Sequence, residues 1–195
     1  MFFRTESFRD FIRLYPLIAL IIMIHLFVFL TTSLPIVPSR EIFAFLAGVN
    51  LYIIEGEYWR LFTPIFVHAS FPHVLFNSFS LLLFGPALER MLGRSKFLAV
   101  YLLTGIAANL ATLIIQPLTY THVGSSGAIF GLFGCYLAII VFRKDLLSKE
   151  NSQTILTIAA ISVVMTFIQP NINITAHIFG LIAGFLTGRL LFLKR

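Results

Sequence analysis

Gly124-Ser125-Ser126-Gly127-Ala128-Ile129-Phe130-Gly131-Leu132-Phe133-Gly134 opens an apolar run that continues to Phe142. A run of this kind is long enough, or nearly so, to cross a bilayer, which takes about 17–25 residues. It is polar only at its mouth, and a polar group at membrane depth is costly without a purpose. Gly127, Gly131 and Gly134 strip side chains from the helix it would form, so a second helix can approach closely. The candidate partner is the stretch Ala176-His177-Ile178-Phe179-Gly180-Leu181-Ile182-Ala183-Gly184. There His177, Gly180 and Gly184 share one helical stripe.

Working outward, apolar runs occupy about 14–34, 74–92, 97–115, 126–142, 154–168 and 174–192. The fifth is short and the fourth starts on a glycine-rich turn. The chain of 195 residues is 58% hydrophobic and 11% charged, with a mean hydropathy of +0.95. A soluble domain carries about 25% charge. The expected fold is therefore an all-α polytopic membrane protein with six transmembrane helices. Residues 1–13 read as a short cytoplasmic segment, 14–192 as the membrane domain and 193–195 as a cytoplasmic tail. The first run exceeds the 7–15 apolar residues of a signal peptide, and Pro35 crowds the cleavage region, so it reads as an uncleaved span.

The net charge of +6 comes without any basic run of five residues, which argues against a nucleic-acid footprint. The single cysteine, Cys135, excludes an intrachain disulfide. All but two of the 14 lysines and arginines fall in four groups. These are Arg4, Arg9 and Arg13; Arg90, Arg94 and Lys96; Arg143, Lys144 and Lys149; and Arg189, Lys194 and Arg195. Arg40 and Arg60 sit in the connection 35–72. By the positive-inside rule both termini are cytoplasmic, and the protein is a multi-pass cell-membrane protein. The connection 35–72 carries Tyr52, Tyr58 and Trp59 among many apolar residues, so it is expected to lie in the outer interface.

With that orientation the second, fourth and sixth spans run inward from the outer face. Their first turns deliver His73 and Asn77, Ser126, and His177 to one depth. His73 and Asn77 stack on one helix face, as do Ser126 and Phe130. A serine hydroxyl becomes a nucleophile when a neighbouring base takes its proton, and imidazole is the usual base. Helix N-terminal amides supply donors for the developing oxyanion, and His73 and Asn77 can add side-chain donors. Glu41, Glu55 and Glu57 lie in the first connection and Glu89 at the inner end of the second span. A Ser–His dyad without a carboxylate is therefore expected, with Phe130 stacked on His177 to orient it.

These residues resemble the rhomboid intramembrane serine proteases. The likeness rests on Gly124-x-Ser126-Gly127, Ala176-His177-x-x-Gly180-x-x-x-Gly184, His73-x-x-x-Asn77, Trp59-Arg60 and Phe66-Val67-His68-Ala69-Ser70. It covers about residues 48–188. The resemblance implies a rhomboid-like bundle with a long interfacial first loop, acting near the outer face. It implies Ser126 as nucleophile and His177 as general base. His73 and Asn77, with the Ser126 backbone N–H, would form the oxyanion hole, Gly124 would support it, and Phe130 would pack on the histidine. It implies transmembrane protein substrates in a lipid bilayer, and neither metal nor organic cofactor. Asn171, Asn173 and Thr175, before Ala176, are where the chain departs from the pattern.

Other readings remain. A non-catalytic rhomboid-like protein would bind and steer client transmembrane helices. A small transporter would gather polar groups at broken helices, but no paired half-repeats or polar path to the inner face are visible. A zinc site would draw on His68, His73, His122 and His177, without an HExxH motif or a thiolate cluster. Individually, His25 reads as a lone polar residue in the first span, His68 as packing in the first connection, and His122 as a loop residue. Gly85-Pro86 is expected to kink the second span.

Overall fold

The computed structural model describes residues 5–35 and 37–193. Arg4, Lys194 and Arg195, three of the charges on which the expected orientation rests, lie outside these residues, as do parts of the segments 1–13 and 193–195. Each apolar run forms a helix. In chain order the helices are α1 (Phe8–Leu14), α2 (Pro16–Ser33), α3 (Ser39–Leu46), α4 (Asn50–Ile54), α5 (Phe71–Leu92), α6 (Arg94–Ile115), α7 (Ser126–Phe142), α8 (Lys149–Ile168) and α9 (Ile174–Phe192). Strands β1 (Gly48–Val49) and β2 (Thr121–His122) pair antiparallel. Among the described residues, α2, α5, α6, α8 and α9 are long and apolar enough to cross a membrane. The apolar α7 has 17 residues.

The shortest helix formed by the six apolar runs is thus α7, from the fourth run, and not α8, from the fifth. Helix α8 starts at Lys149, five positions before its apolar run, because Ser148 caps it by accepting from the Asn151 amide at 3.2 Å. Helix α5 continues through Pro86 to Leu92. Helix α1, unrecognised in the sequence, is capped by Ser7, whose hydroxyl oxygen accepts from the Asp10 amide.

A helix that is apolar all round belongs in the interior, and α7 is buried along most of its length against α9, α6 and α5. Glycine makes this possible. A Cβ on Gly180 would strike the Gly127 carbonyl, one on Gly184 the Gly131 carbonyl, and one on Gly134 the backbone of α9 at Leu181 and Phe185. On the opposite flank a Cβ on Gly131 would strike Thr104 of α6. Helix α7 is wedged between two neighbours, at backbone contact with α9 and against side chains of α6. Tyr136 also donates to the Phe84 carbonyl of α5 at 2.6 Å.

Glu89, buried in α5, accepts from the amides of Leu17 and Ile18 at 3.3 and 3.2 Å. It satisfies donors that the start of α2 cannot pair internally. The outer apolar residues of α2 and α8, including Met23, Phe27, Val164 and Phe167, are exposed. Such faces suit hydrocarbon, where every backbone group is already satisfied within the helix.

The connection 35–72 is built rather than loose. It holds α3, β1, α4 and two 3₁₀ turns, Tyr58–Leu61 and Thr63–Phe66. Buried Arg60 donates to the carbonyls of Ala44 and Ala47 at 2.6 Å each, pairs with Glu57, and lies over the Tyr52 ring. Trp59 stacks on Phe45 and donates to its carbonyl at 3.2 Å. Buried Asn50 donates to the carbonyls of Gln116 and Pro117, beyond the end of α6, and Asn109 of α6 donates to the Leu61 carbonyl. The Trp59-Arg60 pair therefore acts as an internal clamp on this connection.

Candidate active site

Gly124 takes φ +118°, a conformation that disfavours any side chain. A Cβ there would also come 2.6 Å from the Nε2 of His73 and 3.8 Å from the Nδ2 of Asn77. The Gly124 amide donates to the Pro64 carbonyl of the first connection at 2.8 Å. From this turn the chain enters α7 at Ser126, which is half-buried. The Ile129 amide reaches back to the Ser125 carbonyl at 3.0 Å. The amides of Ser126, Gly127 and Ala128 thus occupy the helix end, where no preceding turn exists to accept them.

His73 and Asn77 stand on the first two turns of α5. Ser70 caps that helix by accepting from the His73 amide, and the Asn77 side chain donates to the His73 carbonyl at 3.1 Å. Both side chains therefore flank Gly124, although the Asn77 amide group is engaged within its own helix.

His177 sits in the first turn of α9 and is buried. Its ring stacks on Phe130 of α7, with centroids 4.1 Å apart and planes 19° apart. Its Nδ1 lies 2.8 Å from the hydroxyl of Thr166 in α8. A Cβ on Gly127 would come 3.5 Å from the Ala176 carbonyl, so the residues beside Ser126 and His177 are in contact. The structure brings the two helix ends together, and no Ser126–His177 hydrogen bond occurs among the described residues.

Asn173 and Thr175, the departures from the family pattern, are structural. Asn173 caps α9 by accepting from the Ala176 amide at 2.9 Å and donates to Thr112 of α6 at 2.9 Å. Gln116 donates to Thr175 at 2.8 Å. Asn171 adopts φ 60° just before the cap. Thr166 escaped the sequence reading. Its only signal was Ser162 four residues earlier, a small polar pair on one face of an apolar helix.

The remaining histidines divide in two. His25 is not a lone polar residue: its Nε2 lies 3.2 Å from the Tyr101 hydroxyl, and its ring packs on His68, which packs in turn on His73. Burial, with His25 and His73 alongside, lowers the pKa of His68 to about 2. His122 is buried in β2, where its ring faces Gly48, and burial lowers its pKa to about 4. His122 and His177 contact different partners, Tyr120 and Phe130, from those of the His68–His73 pair.

The family model for the rhomboid domain matches residues 55–194. YdcA of Bacillus subtilis (strain 168), provisionally named a rhomboid protease, is 51% identical over 189 residues, covering 95% of this chain and 94% of that one. Rhomboid protease GluP of the same organism is 37% identical over 147 residues, 75% of this chain and 29% of its own. Rhomboid-like protease 1 of Toxoplasma gondii is 33% identical over 166 residues, 83% of this chain and 57% of its own. The family-model match takes in the later part of the first connection, the turn at Gly124 and the start of α9, and the chain belongs to the rhomboid family.

Proposed function

We propose that this protein is an intramembrane serine protease that cleaves transmembrane segments of other membrane proteins through a Ser126–His177 dyad. In this reading α7 completes a set of six spans, both termini face the cytoplasm, and the site opens near the outer face of the cell membrane. The observation that carries it is the His177 ring, stacked on Phe130 at 4.1 Å at the very end of α9 that abuts the start of α7.

The chemistry follows from the groups present. His177 Nδ1 is engaged by Thr166, which leaves Nε2 to take the Ser126 proton as Oγ bonds to the substrate carbonyl carbon. The carbonyl π pair moves onto oxygen. The α7 N-terminal amides, with His73 and Asn77 beside Gly124, are the donors available to that oxyanion. Collapse breaks the C–N bond, and the imidazolium returns its proton to the leaving amine. Water, activated by the same nitrogen, then hydrolyses the acyl ester. Catalytic hydrogen bonds often close only in the substrate complex, so the Ser126 hydroxyl turns toward Nε2 during the reaction.

The test is cleavage of a single-span membrane substrate by wild type, Ser126→Ala and His177→Ala. Loss in both variants, with labelling of wild type by a serine-directed fluorophosphonate, is the expected result. Cleavage by Ser126→Ala removes that serine from the mechanism, whereas binding of the substrate by wild type without any cleavage favours the client-binding reading.

A further inference from the structure

Thr166 lies in α8, its side chain wholly enclosed, and its hydroxyl oxygen is 2.8 Å from two groups: the Ser162 carbonyl and Nδ1 of His177. A hydroxyl has one proton. A carbonyl oxygen can only accept, so the proton belongs to the bond with Ser162, the common back-bond of threonine in a helix. Toward His177 the oxygen is then an acceptor, and Nδ1 must carry the hydrogen. The imidazole is left with its lone pair on Nε2, the form a general base needs.

We propose that Thr166 is a positioning residue that fixes the tautomer and the rotation of the His177 ring; this rests on the dyad reading above. Phe130 holds the face of the ring and Thr166 holds its edge. When Nε2 takes the serine proton, the Nδ1–H bond to Thr166 becomes charge-assisted and strengthens. A carboxylate would strengthen it more, but an ionised carboxylate in this apolar setting carries a large desolvation cost. A neutral oxygen, itself polarised by the bond it donates to Ser162, supplies orientation without burying a charge. The same choice accounts for a dyad with no acid among its neighbours.

The experiment is steady-state cleavage of a single-span substrate by the full chain in detergent, for wild type, Thr166→Val, Thr166→Ala, Thr166→Ser and Ser126→Ala. Valine keeps the branched shape and removes the oxygen; serine keeps the oxygen. The expected result is a kcat lower by about tenfold or more in the valine and alanine variants, a part of the roughly 10²–10⁴-fold that a general base supplies. KM stays within about twofold, and Thr166→Ser stays within about threefold of wild type in kcat. A valine variant matching wild type overturns the proposal, as does a serine variant as slow as valine, or a change confined to KM. If Ser126→Ala still cleaves, the dyad reading itself falls. If it is inactive while Thr166→Val is unimpaired, only the role of Thr166 falls.

Discussion

The His177 imidazole lies nearly parallel on the ring of Phe130, 4.1 Å from centroid to centroid. The two residues sit on different helices, so the stack fixes a side chain on α9 by means of α7. Phe130→Leu fills much of the volume but offers no aromatic face. The void left by the smaller side chain costs about 1–2 kcal/mol, short of the roughly 3–5 kcal/mol of truncation to alanine. Fluorophosphonate labelling of Ser126 should nevertheless slow by about tenfold, on the scale of a partly lost general base. Phe130→Tyr should label at close to the wild-type rate. Unchanged labelling in the leucine variant removes Phe130 from the site.

The contact between α7 and α9 makes Gly184 intolerant of a single methyl group. In Gly184→Ala the new Cβ meets the Gly131 carbonyl, a backbone atom that cannot rotate away. Overpacking of this sort costs about 1–3 kcal/mol, and the displacement carries His177 away from Ser126. Thermal unfolding in detergent should show a lower Tm, and cleavage should fall with it. A fully active, equally stable alanine variant contradicts the close approach.

Arg60 gathers Ala44, Ala47 and Glu57 around one planar group. Lysine is a point charge and does not reproduce that fork. Arg60→Lys should therefore leave a buried carbonyl unsatisfied, at a cost of about 1–3 kcal/mol. Limited proteolysis of segment 39–66 is the direct measurement: the variant should be cut faster there than wild type, with the helices beyond residue 71 protected in both.

His122 predicts an acid limit to stability. Burial holds its folded pKa at about 4, below the ordinary 6.5. The folded state therefore refuses a proton that the unfolded chain accepts, and stability is complete above 6.5 and is lost as pH falls from 6.5 toward 4. His122→Phe keeps a flat ring against Gly48 and cannot titrate. Between pH 7 and pH 4.5 its Tm should fall less than that of wild type. Equal falls would assign the acid sensitivity elsewhere, with His68 the next residue to substitute.

The helical framework was legible because apolar runs near bilayer length admit few alternatives in lipid. The stripes at Gly127, Gly131, Gly180 and Gly184 were legible because small residues at helical spacing have one common use there. The start of α8 was not: Lys149, Glu150, Asn151, Ser152 and Gln153 form a polar first turn and a half, and only the Ser148 cap marks it. The short helices of 35–72 were hidden for a different reason. Their order comes from Arg60, Asn50 and Asn109 bonding to distant carbonyls, and no local periodicity reports such bonds. Of the candidate site, His73 and Asn77 meet the turn at Gly124 and His177 meets Phe130. Thr166 was invisible because its meeting with His177 depends on how α8 leans on α9. The Ser126–His177 bond was an inference from chemistry rather than from spacing, and it is not among the hydrogen bonds of the described residues.

The bond from the Gly124 amide to the Pro64 carbonyl has a consequence for how this protein is dissected. Both partners are main-chain groups, so the link that seats the turn before Ser126 does not depend on any side chain. Alanine at Pro64 keeps the carbonyl and leaves the link intact, so side-chain substitution at either partner does not test it. An ester in place of the Gly124 amide removes the donor alone. The position of the serine is thus partly written in peptide bonds, in a region where conventional mutagenesis is blind.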